Sequence, residues 1–183
     1  PPFKDVPTDE WYAEAVSYAW GHNLMQGMTE DSFQPDGITT RAQLVTILHR
    51  LDGKPEAAKA ISFSDVKDGD WYKPQIDWAS ANGIVNGSEG KFNPNGTLTR
   101  QDFAAILYRY AKYKGYDTSK LASLDEFSDA DQISKYAVEP MQWACAMELI
   151  TGSDGKLDPN GFAIRAQTAT ILMRFCETVQ NAE

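Results

Sequence analysis

This chain is short of the residues that most enzymes use for chemistry. Of its 183 residues two are histidines and two are cysteines. His22 and His49 stand in no metal-ligand or triad-like spacing. No Gly-x-Ser-x-Gly or phosphate-loop motif occurs. Acidic residues are plentiful, so a carboxylate pair in a cleft stays open on sequence, but nothing nominates one. The chain therefore reads as non-catalytic, with no cofactor and no metal. The Ser153–Gly161 loop lacks the alternating oxygen ligands and closing glutamate of a calcium loop. Cys145 and Cys176 read as two small buried thiols, with one disulfide across a helix pair as the alternative.

Long apolar runs are missing too. No stretch of about 18 apolar residues exists, so no helix is expected to insert into a membrane. The opening Pro1-Pro2-Phe3 has neither a charged nor an apolar leader pattern, as expected of a mature protein or an excised fragment, and is compatible with export of the parent. Basic residues are outnumbered 26 to 17, giving a net charge of −9. That excess argues against duplex nucleic acid, whose binding needs phosphate neutralisation. It leaves room for an anionic ligand held by a few clustered arginines, because a local site can oppose the global charge.

What the chain has in abundance is repetition. Phe3-Lys4-Asp5-Val6 returns as Phe63-Ser64-Asp65-Val66 and as Phe127-Ser128-Asp129-Ala130. Sixteen residues separate Trp11 from Gly27, Trp71 from Gly87 and Tyr136 from Gly152. Each stretch passes a Pro-containing turn to reach Arg41, Arg100 or Arg165, and Ile-Leu-x-Arg follows, ending at Arg50, Arg109 and Arg174. A unit too small to bury its own apolar face, copied three times, implies an array whose copies complete each other's core. The repeats span 1–53, 63–113 and 127–183, with linkers at 54–62 and 114–126, all within one structural domain.

Within each repeat the spacing predicts a helix over Trp11–Asn23, Trp71–Asn82 and Tyr136–Glu148, with Tyr72, Ile76 and Ala79 on one face. Pro74 fits a first helical turn, whereas Pro140 is expected to delay its helix start. Gly21 and Gly83 are expected near left-handed helix ends. A Gly-rich loop follows, with an apolar plug (Phe33, Phe92, Leu157) before its turn. The second helix starts near Thr40, Thr99 or Ile164 and runs about three turns; a partial helix is expected around Ser119–Leu124. The class is mainly α: three helix-loop-helix repeats, with at most short strands.

The repeated Phe-x-Asp-Val, the Trp-Tyr helix opening, the Gly-(x)-Phe-x-Pro-(x)-Gly loop and a Thr-Arg-Ala-Glu-like motif together resemble the S-layer homology family. That last motif reads Thr40-Arg41-Ala42-Gln43, Thr99-Arg100-Gln101-Asp102 and Ile164-Arg165-Ala166-Gln167. The resemblance covers essentially the whole chain. It implies a pseudo-threefold, three-pronged bundle, a monomer, with grooves between repeats. It also implies an extracellular location at a bacterial cell wall or S-layer. There the grooves would bind a secondary cell-wall polysaccharide, often one bearing a ketal-linked pyruvate, and so anchor a surface protein non-covalently. A protein–protein assembly module is the alternative.

The residues suit that chemistry. Arg41, Arg100 and Arg165 stand at helix starts, where backbone N–H groups and the dipole already favour an anion. A guanidinium there can grip a carboxylate with two parallel hydrogen bonds. Gly27, Gly87 with Ser88 and Glu89, and Gly152 with Ser153 and Asp154 are expected to offer backbone amides. Trp11 and Trp71 can present a flat face to a sugar; core and groove positions stay open for both. Phe3, Phe63, Phe127 and Trp78 read as core. Thr40 with Gln43, and more weakly Thr99 with Asp102, read as capping boxes. Arg50, Arg109 and Arg174 lie toward helix C-termini and read as structural. Repeat 3 departs most: Ile164 for Thr, Tyr136 for Trp, Leu157 for Phe, and Glu148 where repeat 2 has Gly83. Its groove is expected to be the weakest.

Overall fold

The computed structural model describes residues 1–59 and 62–181, and linker positions 60 and 61 lie outside them. Among the described residues six α-helices follow in order, α1 Ala13–Gly21, α2 Arg41–Leu51, α3 Lys73–Ala81, α4 Arg100–Lys114, α5 Lys135–Ala146 and α6 Arg165–Phe175, with a 3-10 turn at Ala130–Gln132 and a π-helical turn at Cys176–Gln180. Between them the described residues pair only through isolated bridges. The chain is mainly α, as its periodicity implies.

The second helix of each repeat starts where its cap dictates. Thr40 accepts from Gln43 N, and Gln43 Oε1 accepts in return from Thr40 N at 2.9 Å, which completes the capping box. Thr99 caps α4 through Asp102 N alone. At α6 an isoleucine has no oxygen to offer, so only Gln167 Oε1 serves, accepting from Ile164 N at 3.2 Å. Two of these helices run the expected three turns; α4 continues to 15 residues, until Gly115 turns left-handed at φ 78°.

The first helices differ from expectation at their starts. Trp11-Tyr12 and Trp71-Tyr72 form a turn, and the helices begin at Ala13 and Lys73. The third begins at Lys135, before Tyr136, with Pro140 inside it and buried. Proline there removes one ladder bond without moving the start. Gly21 is not the left-handed residue; Asn23 (φ 57°) is, matched by Gly83 (φ 72°) and Glu148 (φ 58°). Asparagine tolerates that conformation, and in repeat 3 a glutamate is held in it. The partial helix expected at Ser119–Leu124 is absent. Ser119 is instead held in a turn by Asp117, Ala122 N donates to Gln142 O at 3.0 Å, and Leu124 is buried.

The principal helix contacts run between repeats rather than within them. The principal helix pairs are α1 with α6, α3 with α2, and α5 with α4. Each first helix lies on the second helix of the preceding repeat, counted cyclically. Three backbone bonds tie the centre in the same order: Thr39 N to Ala163 O, Ala163 N to Leu98 O, and Leu98 N to Thr39 O, each 3.0 Å. The plugs Phe33, Phe92 and Leu157 are fully enclosed, with Phe3, Phe63 and Trp78 also buried and Phe127 partly so. Burying one such aromatic is worth about 2–3 kcal/mol. Cys145 and Cys176 are both free thiols. Cys145 lies in α5, which packs mainly on α4, and Cys176 directly follows α6, which packs mainly on α1. Burial raises the Cys145 thiol to about 11.

Three grooves between repeats as the candidate ligand site

Each groove is built outward from the aspartate of Phe-x-Asp. Asp5 accepts from Phe33 N and Gln34 N, both at 2.8 Å, and from Ser32 Oγ. Asp65 accepts from Phe92 N and Asn93 N, and Asp129 from Leu157 N and Asp158 N, all at 2.8–2.9 Å. The plug is thereby pinned at the groove floor. Burial pushes these carboxyls up, but the backbone hydrogen bonds outweigh it and hold each below its ordinary value.

The loop glycines have a packing reason of their own. A Cβ on Gly27 would lie 2.5 Å from Phe3 Cε1, on Gly87 2.3 Å from Phe63 Cε1, and on Gly152 2.7 Å from Phe127 Cε1. The ring of each Phe-x-Asp motif sits where a side chain would go. In repeats 2 and 3 the loop then closes through Ser88–Lys91 and Ser153–Lys156 bridges. Glu89-Gly90 and Asp154-Gly155 are both left-handed within those turns.

The motif arginines cross between repeats. Arg41 Nε donates to Phe92 O at 3.0 Å, Arg100 Nε to Leu157 O at 3.0 Å, and Arg165 Nε to Phe33 O at 2.8 Å. The guanidinium carbons of Arg41 and Arg165 lie 4.9 and 4.5 Å from the Phe92 and Phe33 ring centres. Burial depresses the pKa of Arg100 and Arg165, although an arginine stays protonated. The Nε of each arginine is therefore structural, tying one repeat to the next. Any ligand role falls to the terminal nitrogens.

Those nitrogens differ. Arg165 spends one on Gln26 O at 2.6 Å. Arg41 Nη1 pairs with Asp102 Oδ2 at 3.1 Å, and Tyr136 OH donates to Asp102 Oδ1. Burial, then the Asp102 carboxylate, push Tyr136 up to about 12. Among the described residues the terminal nitrogens of Arg100 make no hydrogen bond.

Each groove draws on all three repeats. The largest, about 920 Å³, joins Gly152 and Ser153 with Arg100 from repeat 2, Trp11 from repeat 1, and Lys156 and Arg174. The second, about 700 Å³, joins Gly87 and Ser88 with Arg41 from repeat 1, Tyr136 from repeat 3, and Lys91 and Arg109. The third, about 160 Å³, joins Gly27 with Arg165, Trp71 and Arg50. Ligand pockets usually run from about 300 to 1,000 Å³, which the first two reach and the third does not. Trp11 and Trp71 are 62% and 59% exposed, which settles groove over core for both, and Tyr136 takes the same place at 53%.

All ten expected residues thus line grooves, but not in the partnership that repeat-by-repeat reading suggests, since each arginine meets the next repeat's loop. The groove built on the divergent third-repeat loop is the largest, while the third repeat's own Arg165 serves the smallest. Sequence reasoning missed Lys91, Lys156, Asp102, and Arg50, Arg109 and Arg174 as groove residues. The last three carry a signal: each follows a motif arginine by nine residues, half a turn away at 100° per residue. One helix therefore reaches two grooves, as α4 does with Arg100 in the largest and Arg109 in the second.

Comparison with known proteins converges on the same repeats. The family model of the S-layer homology domain matches residues 2–45, 62–104 and 126–169. An exoglucanase from Acetivibrio thermocellus is 29% identical over 181 residues, covering 98% of this chain and 16% of that protein. A surface-layer 125 kDa protein from Lysinibacillus sphaericus is 36% identical over 114 residues, covering 58% of this chain and 10% of its own. An S-layer protein from Bacillus anthracis is 25% identical over 178 residues, covering 94% and 21%. The chain spans between about a tenth and a fifth of these relatives. Three tandem matches over most of its length show that the chain belongs to the S-layer homology domain family, an extracellular module that anchors proteins at the bacterial cell wall and S-layer.

Proposed function

We propose that the chain anchors its parent protein by binding a secondary cell-wall polysaccharide whose ketal-linked pyruvate carboxylate docks on a groove arginine. The observation that carries this reading is the make-up of the grooves. On a chain of net charge −9, the largest groove sets Arg100, Arg174 and Lys156 against Asp129, Asp154 and Asp158, beside an exposed tryptophan, and Asp129 is already spent on the backbone of Leu157 and Asp158. Arg100 Nε is fixed by Leu157 O, so the guanidinium is held in place before ligand arrives. Its two terminal nitrogens match a carboxylate fork, and Trp11 supplies a face for the sugar ring. The fold is a monomeric pseudo-threefold bundle about the Thr39–Leu98–Ala163 centre, with no catalytic role of its own.

Calorimetric titration with pyruvylated and depyruvylated wall polymer tests the reading. Binding is expected only with pyruvate present, and is expected to weaken at least tenfold in Arg100→Lys, which keeps charge but loses the fork. Equal heats for both polymers would overturn the reading.

A further inference from the structure

The residue three positions into each second helix is Gln43, Asp102 or Gln167. Both glutamines fold back to accept from the N-cap backbone, at 2.9 and 3.2 Å. Asp102, one methylene shorter, reaches forward instead and bridges Arg41 of repeat 1 and Tyr136 of repeat 3. The Asp102 and Arg41 side chains are 24% and 16% exposed. A protein carboxylate thus holds the position where an acidic ligand would meet Arg41.

We infer that Asp102 latches the Arg41 groove against acidic sugars, leaving the Arg100 groove as the one that binds them; this rests on the proposed carboxylate recognition. An incoming carboxylate at Arg41 has to displace Asp102 or share a guanidinium with it at like-charge distance. The Arg100 groove lacks both halves of this bridge: Asp158 lines it and acts on Arg100 electrostatically, but no ion pair joins the two among the described residues. Its counterpart of Asp102 is Gln167, neutral and engaged with Ile164 N, and its aromatic is Trp11, which has no hydroxyl. In the third groove Arg165 is held by Phe33 O and Gln26 O within about 160 Å³, so no free fork remains there.

Titration calorimetry with a methyl hexopyranoside bearing a ketal-linked pyruvate separates the grooves. The wild-type chain is expected to bind one equivalent. D102N, isosteric but uncharged, is expected to bind two, and Q167D is expected to weaken the single site at least tenfold by placing a carboxylate near Arg100. D102S serves as a second latch-free variant, with circular dichroism and thermal midpoint confirming that each protein is folded. If wild type binds but D102N and D102S stay at one equivalent, the latch is overturned and the recognition reading survives. If only the Asp102 variants bind, the latch stands and that sugar is not the wild-type chain's ligand. If none binds, both fail.

Discussion

Arg165 lies over the ring of Phe33, its guanidinium carbon 4.5 Å from the ring centre and its Nε 2.8 Å from the Phe33 carbonyl, across 132 positions of chain. With Arg41 on Phe92 and Arg100 on Leu157, this contact closes the repeats into a ring. In an open array the end units have one neighbour each. Here repeat 1 touches both others, and that difference governs stability.

Arg165→Ala should destabilise the fold by about 3 kcal/mol, because two buried or part-buried carbonyls, of Phe33 and Gln26, lose a charged donor. Arg165→Lys should recover little of it, since an ammonium lacks the fork that meets both. Urea unfolding midpoints measure this; an unchanged midpoint for the alanine variant would contradict the closure role.

Removing residues 1–53 takes away α1 and α2, and with them the packing partners of α6 and α3. The remaining two repeats should lose cooperative unfolding or self-associate, whereas the whole chain should unfold in one transition. Sedimentation velocity and calorimetric scanning check both. A monomeric, cooperatively folded two-repeat fragment would refute the ring.

The pinning aspartates predict an acid limb. Asp5, Asp65 and Asp129 have folded pKa values below their ordinary ones, so their bonds contribute fully above the unfolded value near 3.9. That contribution disappears as pH falls through the lower folded values, so stability should drop below about pH 4. In Asp129→Asn an NH2 group replaces one acceptor facing Leu157 N or Asp158 N, which should cost about 2 kcal/mol at pH 7 and flatten that limb. Stability measured across pH 2–7 tests it.

Gly87→Ala places a methyl 2.3 Å from Phe63 Cε1 and 2.7 Å from Lys91 O, and should cost about 1–3 kcal/mol. Phe63→Leu in the same chain should return part of the loss. If Gly87→Ala melts like wild type, the loop glycine is not there for packing.

Much of this architecture was legible because repetition averages out local ambiguity. Phe33, Phe92 and Leu157 announce themselves as plugs by occurring in register, and Thr40 with Gln43 caps α2 by rules that need no tertiary context. What stayed hidden depends on which repeat meets which. Arg41 and Gly87 share a groove although nothing local pairs them, because helix–loop partnership is set by the cyclic order of packing. Asp102 looks like a poor capping residue until the structure brings Arg41 and Tyr136 to it. Tertiary contacts also overrode propensity over this segment, where Leu124 is buried and Ala122 N donates to Gln142 O of α5 in place of a short helix.

Co-sedimentation of the chain with purified cell walls, before and after acid removal of ketal pyruvate, tests the central claim most directly. The account predicts retention by native walls, release from depyruvylated walls, and loss of retention in Arg100→Lys while Trp71→Ala, in the small groove, stays bound. Equal retention on both wall preparations would contradict recognition through an arginine–carboxylate pair.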